Sequence, residues 1–284
     1  MRVCLATCTA LPALDDDGPA LLAALADEGL AAEVRAWDDP SADWGSYDLV
    51  VVRTTWDYWD RLPEYLAWAE AVPRLANPAS VIRWNTDKRY LRDLADAGVP
   101  VVPTTFLAPG EPFAAPEGEY VVKPSVSAGS SDTARFGPGE AADAAALVAR
   151  VHAVGKHVMV QPYVAGVDGE GETSVLSFGG EVSHAIRKAQ ILYPGAGVVE
   201  RSPGLEVISA RTATPEQVAV AAAAVAAVPG EVLYARVDMV PGPDGPTVLE
   251  VEVTEPSLFL GFADGAAGSY ARAVAGAVRA ASTG

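Results

Sequence analysis

LYARVDMV (residues 233–240) and TVLEVEV (247–253), joined by the turn-rich PGPDGP (241–246), read as an antiparallel hairpin. Side chains alternate along a strand, so Leu233, Ala235, Val237 and Met239 share one face while Arg236 and Asp238 share the other. Glu250 and Glu252 likewise oppose Leu249, Val251 and Val253. A register that sets Asp238 opposite Glu250 crowds three carboxylates and Arg236 onto one surface. Carboxylates at neighbouring sheet positions repel and raise one another's pKa unless a cation sits among them. Magnesium suits such a face, because it takes a few carboxylate oxygens together with the phosphates of a ligand. The competing account is the solvated polar face of an ordinary hairpin.

Upstream lie two lysines, Lys88 in NTDKRYL (85–91) and Lys123 in YVVKPSVSAGSSD (120–132). Lys123 stands near the end of an apolar strand and precedes a run of small residues, Ser127 to Ser131, whose backbone N–H groups can approach phosphate oxygens closely. No GxxxxGK[ST] string occurs, so the loop is not of the Walker type. VQPYVAG (160–166) reads as an apolar strand running through Gln161 and Tyr163 into an acidic loop, a crossing whose backbone groups can read a purine edge. HAIRK (184–188) ends another strand with Arg187 and Lys188 in reach of phosphate. At the start of the chain, strands over 3–6, 32–37 and 47–52 with a helix over 19–26 give a βαβ opening. The third strand ends in RTTWDYWDR (53–61), where ligands of open α/β sheets bind. Arg53 and Arg236 are candidates for holding a substrate carboxylate bidentately, with Trp56, Asp57 and Tyr58 shaping the pocket. Helices are expected over 86–97, 140–153, 215–228 and 266–281, the first capped by Asn85 or Thr86 and the third opened by Thr214, Pro215 and Gln217. No general base stands out.

The chain has 284 residues, half of them hydrophobic, enough for two or three small lobes around a cleft. With 20 basic and 37 acidic side chains the net charge is −17, which repels nucleic acid and anionic lipid alike. A bound polyphosphate must therefore be held locally by placed lysines, amides and metal ions. Cys4 and Cys8 lie in one apolar stretch without metal-ligating neighbours and read as packed thiols. The opening MRVCLATCTALPALDDD reads as lacking a cleavable secretory segment, and no apolar run reaches membrane-spanning length, so the expectation is a cytoplasmic protein.

In this chain order the pieces resemble the ATP-grasp superfamily, and in particular its glutathione-synthetase-like branch, over nearly the whole sequence. TTWDYWDRLPEYLAWAE (54–70) and the general layout look most like ATP-grasp proteins related to the cyclo-ligase of cycloserine biosynthesis. The resemblance implies an α/β (α+β) ATP-grasp fold: an N-terminal open α/β lobe over 1–82, a central lobe over 83–165 and a C-terminal lobe over 166–284 that carries the metal site. It implies that Lys88, Lys123 and Arg187 contact the phosphates of ATP, that the loop with Ser127, Gly129, Ser130 and Ser131 closes over them, and that Gln161, Pro162, Tyr163 and Val164 line the adenine slot. Glu172 would sit near the ribose or the metal, and Asp238, Glu250 and Glu252 would hold two Mg2+ ions. Arg187 and Arg236 would support catalysis. Three positions depart from the family pattern: Glu252 replaces the usual Asn, Ser174 stands where relatives often carry Arg, and Gln161 replaces the commoner Glu. The implied activity is ATP-dependent activation of a small substrate's carboxylate for attack by nitrogen. Ring closure of O-ureido-D-serine, joining of two amino-acid or peptide substrates, and a non-catalytic nucleotide-binding module are its three forms, and a homodimer is left open.

Overall fold

The computed structural model of the protein describes residues 1–199 and 206–281. Its first sheet is parallel and contains β1 (Arg2–Thr7), β2 (Ala31–Ala36), β3 (Leu49–Thr54) and β4 (Leu75–Ala76) in the order β2-β1-β3-β4, with α1 (Gly18–Asp27) as the first crossover and α2 (Leu62–Ala71) before β4. Parallel strands covered on both faces are apolar throughout. β3 is accordingly buried along its whole length, even at Arg53 and Thr54. Cys4 and Cys8 are free and buried.

α3 (Ala79–Asn85) and α4 (Leu91–Asp96) replace the single helix expected over 86–97. The break has a local cause. The Asp87 side chain accepts from the Arg89 N–H at 3.1 Å, and the Lys88 N–H donates at 2.8 Å to the Ser125 carbonyl in the neighbouring lobe. Both bonds draw the backbone out of helical geometry and aim Lys88 towards the loop after Lys123.

The central sheet is antiparallel, in the order β5-β8-β6-β7, from β5 (Thr105–Leu107), β6 (Tyr120–Pro124), β7 (Ala134–Phe136) and β8 (Val158–Pro162). α5 (Ala141–Ala153) buries Ala144, Leu147, Val148 and Val151, a one-sided helical stripe, against Tyr120, Val122, Val158 and Val160. Strand alternation leaves Val121, Lys123 and Gln161 for the other face.

After the short α6 (Val167–Glu170), the third sheet is antiparallel in the order β11-β10-β9-β12-β13. It consists of β9 (Glu172–Phe178), β10 (Glu181–Lys188), β11 (Ile208–Arg211), β12 (Tyr234–Gly242) and β13 (Gly245–Glu252). α7 (Pro215–Ala226) opens with the expected capping box between Thr214 and Gln217 and packs Ala221 and Ala224 against Val237 and Val251. α8 (Ala266–Ala281) lies on the other face, where Tyr270, Val274 and Val278 meet Leu176, Phe178 and Ile186 as well as Leu5, Leu21 and Leu25 of the first lobe. One apolar core thus runs through the opening and closing thirds of the chain. Among the described residues no helix is long and apolar enough to cross a membrane.

Two asparagines join these thirds through polar contacts. Asn77, left-handed at φ +47°, donates to the Tyr234 and Val253 carbonyls at 2.9 and 2.6 Å and accepts from the Leu233 N–H at 2.6 Å. Asn85 donates to the Val251 carbonyl at 2.7 Å and accepts from the Val253 N–H and the Thr254 hydroxyl at 3.0 Å each. Its side chain therefore serves the neighbouring strand rather than a helix cap. Asn77→Ala strands buried backbone groups and should cost about 2–4 kcal/mol in urea unfolding. A loss under about 1 kcal/mol would show that the segment is held by packing alone.

Candidate active site

The hairpin registers as its alternation suggests, Asp238 facing Glu250 and Arg236 facing Glu252. Between Asp238 and Met239 the register slips by one residue, because Met239 pairs with Val248 and leaves Leu249 as the extra residue of a bulge. Strict alternation would put Leu249 with Val251 and Val253 in the core. The bulge turns it instead into a cleft, where it meets Val102, Tyr163, Val164, Val167 and Val240. Consecutive residues, Leu249 and Glu250, therefore both line the same cavity.

That cleft, of about 820 Å3, lies where the three sheets converge. One half is the apolar slot just described, bounded by Val121 and by residues 161–164. Gln161 donates from its amide to the Thr104 hydroxyl at 2.9 Å, and the Tyr163 N–H is taken by the Glu119 carbonyl at 2.8 Å. The other half is charged. Arg236 grips Asp238 with both ends of its guanidinium, at 2.9 and 3.0 Å, contacts Glu252, and donates at 3.1 Å to the Ser257 carbonyl. Lys188 reaches the same Asp238 carboxylate at 2.8 Å. Lys88 lies 3.1 Å from Glu250 and donates at 2.8 Å to the Ser127 carbonyl. Lys123 differs, its ammonium making no hydrogen bond or ion pair with any described residue although it lines the cleft.

Burial alone would push Asp238 up, but Arg236 and Lys188 beside it prevail and hold it well below the usual carboxylate range. Burial works against the charged form of Lys88 too, and Glu250 outweighs it, so its pKa is raised. For Lys123 burial prevails and the pKa is lowered. This ammonium lacks the counter-charge that an anionic ligand would bring. Burial pushes Glu172 up to about 7 and Glu255 up to about 8, with Lys188 and Glu252 respectively the largest charges nearby. Glu252 is raised as well, by burial against the pull of Arg236.

These directions set a pH dependence. A carboxyl whose folded pKa is raised stabilises the fold fully below its unfolded value, near 4.5, and that contribution is lost as pH rises through the folded value. Stability of the ligand-free protein should therefore fall between about pH 4.5 and pH 8, the window set by Glu172 and Glu255. Asp238 acts oppositely, its contribution disappearing only as pH falls below the ordinary aspartate value. Urea midpoints from pH 5 to 9 measure the balance; midpoints that climb steadily over that range would contradict it.

Among the described residues no three His, Cys, Asp or Glu side chains are gathered as a ready-made metal cage. Asp238, Glu250 and Glu252 are not the bare acidic patch that alternation suggested, since each is held by a protein cation. The donor chemistry still fits magnesium. The acids are hard oxygen donors on one face, and Lys123 lines the same cleft.

Residues 3–77 match the family described as the N-terminal domain of D-cycloserine synthetase DcsG. The cycloserine biosynthesis protein DcsG of Streptomyces lavendulae is 43% identical over 282 residues, covering 92% of this chain and 94% of that protein. The chain belongs to the DcsG family. The crystal structure of D-cycloserine synthetase DcsG matches with a TM-score of 0.90 at 41% identity, over 98% of this chain and 100% of that one. A D-alanine–D-alanine ligase of Bacillus anthracis, solved with ATP, matches with a TM-score of 0.66 at 15% identity over 100% and 99% of the two chains, which shows a shared fold. This DcsG-family chain is thus an ATP-grasp ligase.

Of the residues expected at the site, Trp56, Lys88, Lys123, Ser127, Gly129, Ser130, Gln161, Pro162, Tyr163, Val164, Glu172, Arg236, Asp238, Glu250 and Glu252 line the cleft. Four do not. Arg187, expected at the phosphates and in catalysis, donates to the Glu170 and Gly169 carbonyls at 2.7 and 3.2 Å on the opposite side of β10. Its neighbour Lys188 occupies the cleft instead, as alternation along a strand requires. Arg53 is wholly buried beneath the cleft, donating to the Pro256 carbonyl at 2.9 Å and lying 3.5 Å from Asp15, so it is no direct substrate ligand here. Asp57 turns away to accept from the Trp37 indole at 2.8 Å. Ser131 is buried with its hydroxyl unpartnered, whereas Gly129 and Ser130, both left-handed, present the loop to the cavity. Lys188, read in the sequence beside Arg187 as in reach of phosphate, lines the cleft, and so do Gln190, Glu206 and Glu255, which the sequence did not single out. Alternation from the buried Ile186 could have favoured Lys188 over Arg187. Glu255 lies in a loop, where no periodicity points.

Proposed function

We propose that the chain uses ATP and magnesium to close O-ureido-D-serine into D-cycloserine, forming ADP and phosphate. The observation that carries this reading is the 43% identity, across 92% of the chain, to the cycloserine biosynthesis protein DcsG. The cleft supports it with an apolar slot for a base beside a cationic region for a triphosphate.

In this reading the slot between Val102, Val164, Val240 and Leu249 takes the adenine, and Lys88 and Lys123 take the phosphates under the 127–131 loop. Asp238, Glu250 and Glu252 would hold magnesium, which neutralises charge on the phosphate oxygens as it shifts during transfer. Arg236 is fixed by Asp238, Glu252 and the Ser257 carbonyl, and it orients the substrate carboxylate without needing to reorganise. A carboxylate oxygen attacks the γ-phosphorus and ADP departs, leaving an acyl phosphate. The aminooxy nitrogen then attacks the acyl carbon and phosphate leaves; after ring closure one water hydrolyses the N-carbamoyl bond, the ring nitrogen keeping a proton and the carbamoyl group leaving as ammonia and carbon dioxide. Because both reacting groups sit in one molecule, alignment contributes much of the rate, and water must be kept out while the acyl phosphate persists. Two buried free thiols agree with a reducing, cytoplasmic setting.

The test is incubation with O-ureido-D-serine, ATP and magnesium, following ADP and ring product by mass spectrometry. ADP release without cyclisation, answered by a joined product on adding a second amine, would convert the reading to a two-substrate ligase. ATP binding without turnover on any carboxylate would make the chain a nucleotide-binding module.

A further inference from the structure

The loop after β13 is held more firmly than a connection needs. The Tyr234 hydroxyl donates to the Thr254 carbonyl at 2.9 Å, the Trp56 indole to the Glu255 carbonyl at 3.0 Å, Arg53 to the Pro256 carbonyl at 2.9 Å and Arg236 to the Ser257 carbonyl at 3.1 Å. Four consecutive carbonyls are thus each taken by a different side chain. The side chain this fixes in place is Glu255, which is only 8% exposed and lines the cleft.

Its surroundings neutralise it only in part, since Lys88 acts on it from beyond ion-pair distance. Asp238, Glu250 and Glu252 each have a cation within ion-pair distance; Glu255 has none among the described residues, and its carboxyl is met by the Tyr58 hydroxyl. Burial, with Glu252 nearby, pushes it up to about 8 against the pull of Lys88, so its charged form has no cation in contact among the described residues. Trp56, Tyr58, Trp59 and Phe259 also line the cleft, where the Trp59 and Phe259 rings already meet Lys156 and Arg236 at 5.0 and 5.6 Å. A single carboxylate with Trp56 and Tyr58 beside it suits an organic ammonium better than magnesium, which demands several oxygens.

We infer that Glu255 binds the free ammonium group of the amino-acid substrate and so makes the enzyme select amino acids over carboxylic acids of the same shape. This rests on the ligase reading above and adds the residue that sets its substrate class. Arg53 and Trp56 act here as positioning residues, through the Pro256 and Glu255 carbonyls.

The experiment compares O-ureido-D-serine with its analogue bearing hydrogen in place of the α-amino group, in wild type, Glu255→Gln and Glu255→Asp. Wild type should prefer the amino substrate by roughly 100-fold in kcat/KM. Glu255→Gln should lose most of that preference, by weakening the amino substrate while leaving the analogue within about threefold, and Glu255→Asp should recover part of it. A merely structural role would lower both substrates together, and equal losses, or an intact preference in Glu255→Gln, overturn the inference. Calorimetric binding of the same two compounds to the protein loaded with a non-hydrolysable ATP analogue and magnesium gives the same comparison without turnover. Failure of the ligase reading is distinct from these, since wild type would then release no ADP with any carboxylate.

Discussion

Glu250→Gln is expected to reduce ADP release by at least about 10³-fold at a modest cost in stability. Its ion pair joins this carboxylate, 23% exposed, to the Lys88 ammonium, 9% exposed, so glutamine leaves a buried cation without its counter-charge at a cost of about 1–3 kcal/mol. Glutamine keeps the shape but loses the charge that would balance a divalent cation. Asp238→Asn should abolish turnover equally and behave differently in unfolding. Its carboxylate is buried between Arg236 and Lys188, so neutralising it leaves two cations facing each other, at a cost of about 3–5 kcal/mol. Single-turnover ADP release and urea midpoints on both variants separate the two effects. Either variant keeping full activity would place the metal elsewhere.

Lys123→Ala should weaken binding of a non-hydrolysable ATP analogue by roughly 100-fold, the scale of a lost charge-assisted contact to phosphate. The same change should leave the ligand-free protein as stable or more so. Lys123 has no hydrogen-bonding or ion-pairing partner among the described residues, and burial already lowers its pKa. Removing a group that the apo protein holds at a cost is the familiar exchange of function for stability. Calorimetry gives the affinity and thermal unfolding the stability. An unchanged nucleotide Kd removes Lys123 from the phosphate site; a large loss of apo stability would reveal a structural part for it.

Much of the fold could be read from periodicity. The strands over 172–178 and 181–188, the helix over 266–281 and the facing of Asp238 with Glu250 all follow from simple alternation or amphipathic spacing. The short strands β4, β5, β7 and β11 were not legible, because two to four residues carry no pattern and exist only by pairing with longer neighbours. In the site, the residues of β6, β8 and β12 line the cleft as their strands suggest, whereas the departures have three separate causes. Leu249 was turned by one extra residue, Arg187 was preferred to Lys188 for its chemistry although the pleat favours the latter, and Arg53 reads as a surface ligand until its strand is seen buried. Glu255 escaped because its role comes from tertiary contacts to four loop carbonyls.

The bulge at Leu249 also gears two tasks to one strand. In the function proposed above, hydrophobic purchase on a flat ring and a carboxylate for the cation beside a polyanion would fall to adjacent links of the same backbone. Any sliding of β13 along β12 would move both grips together, so the hairpin gauges the length between them as a fixed calliper does. Deleting one link there would restore a regular ladder and throw the ruler out by half a pleat.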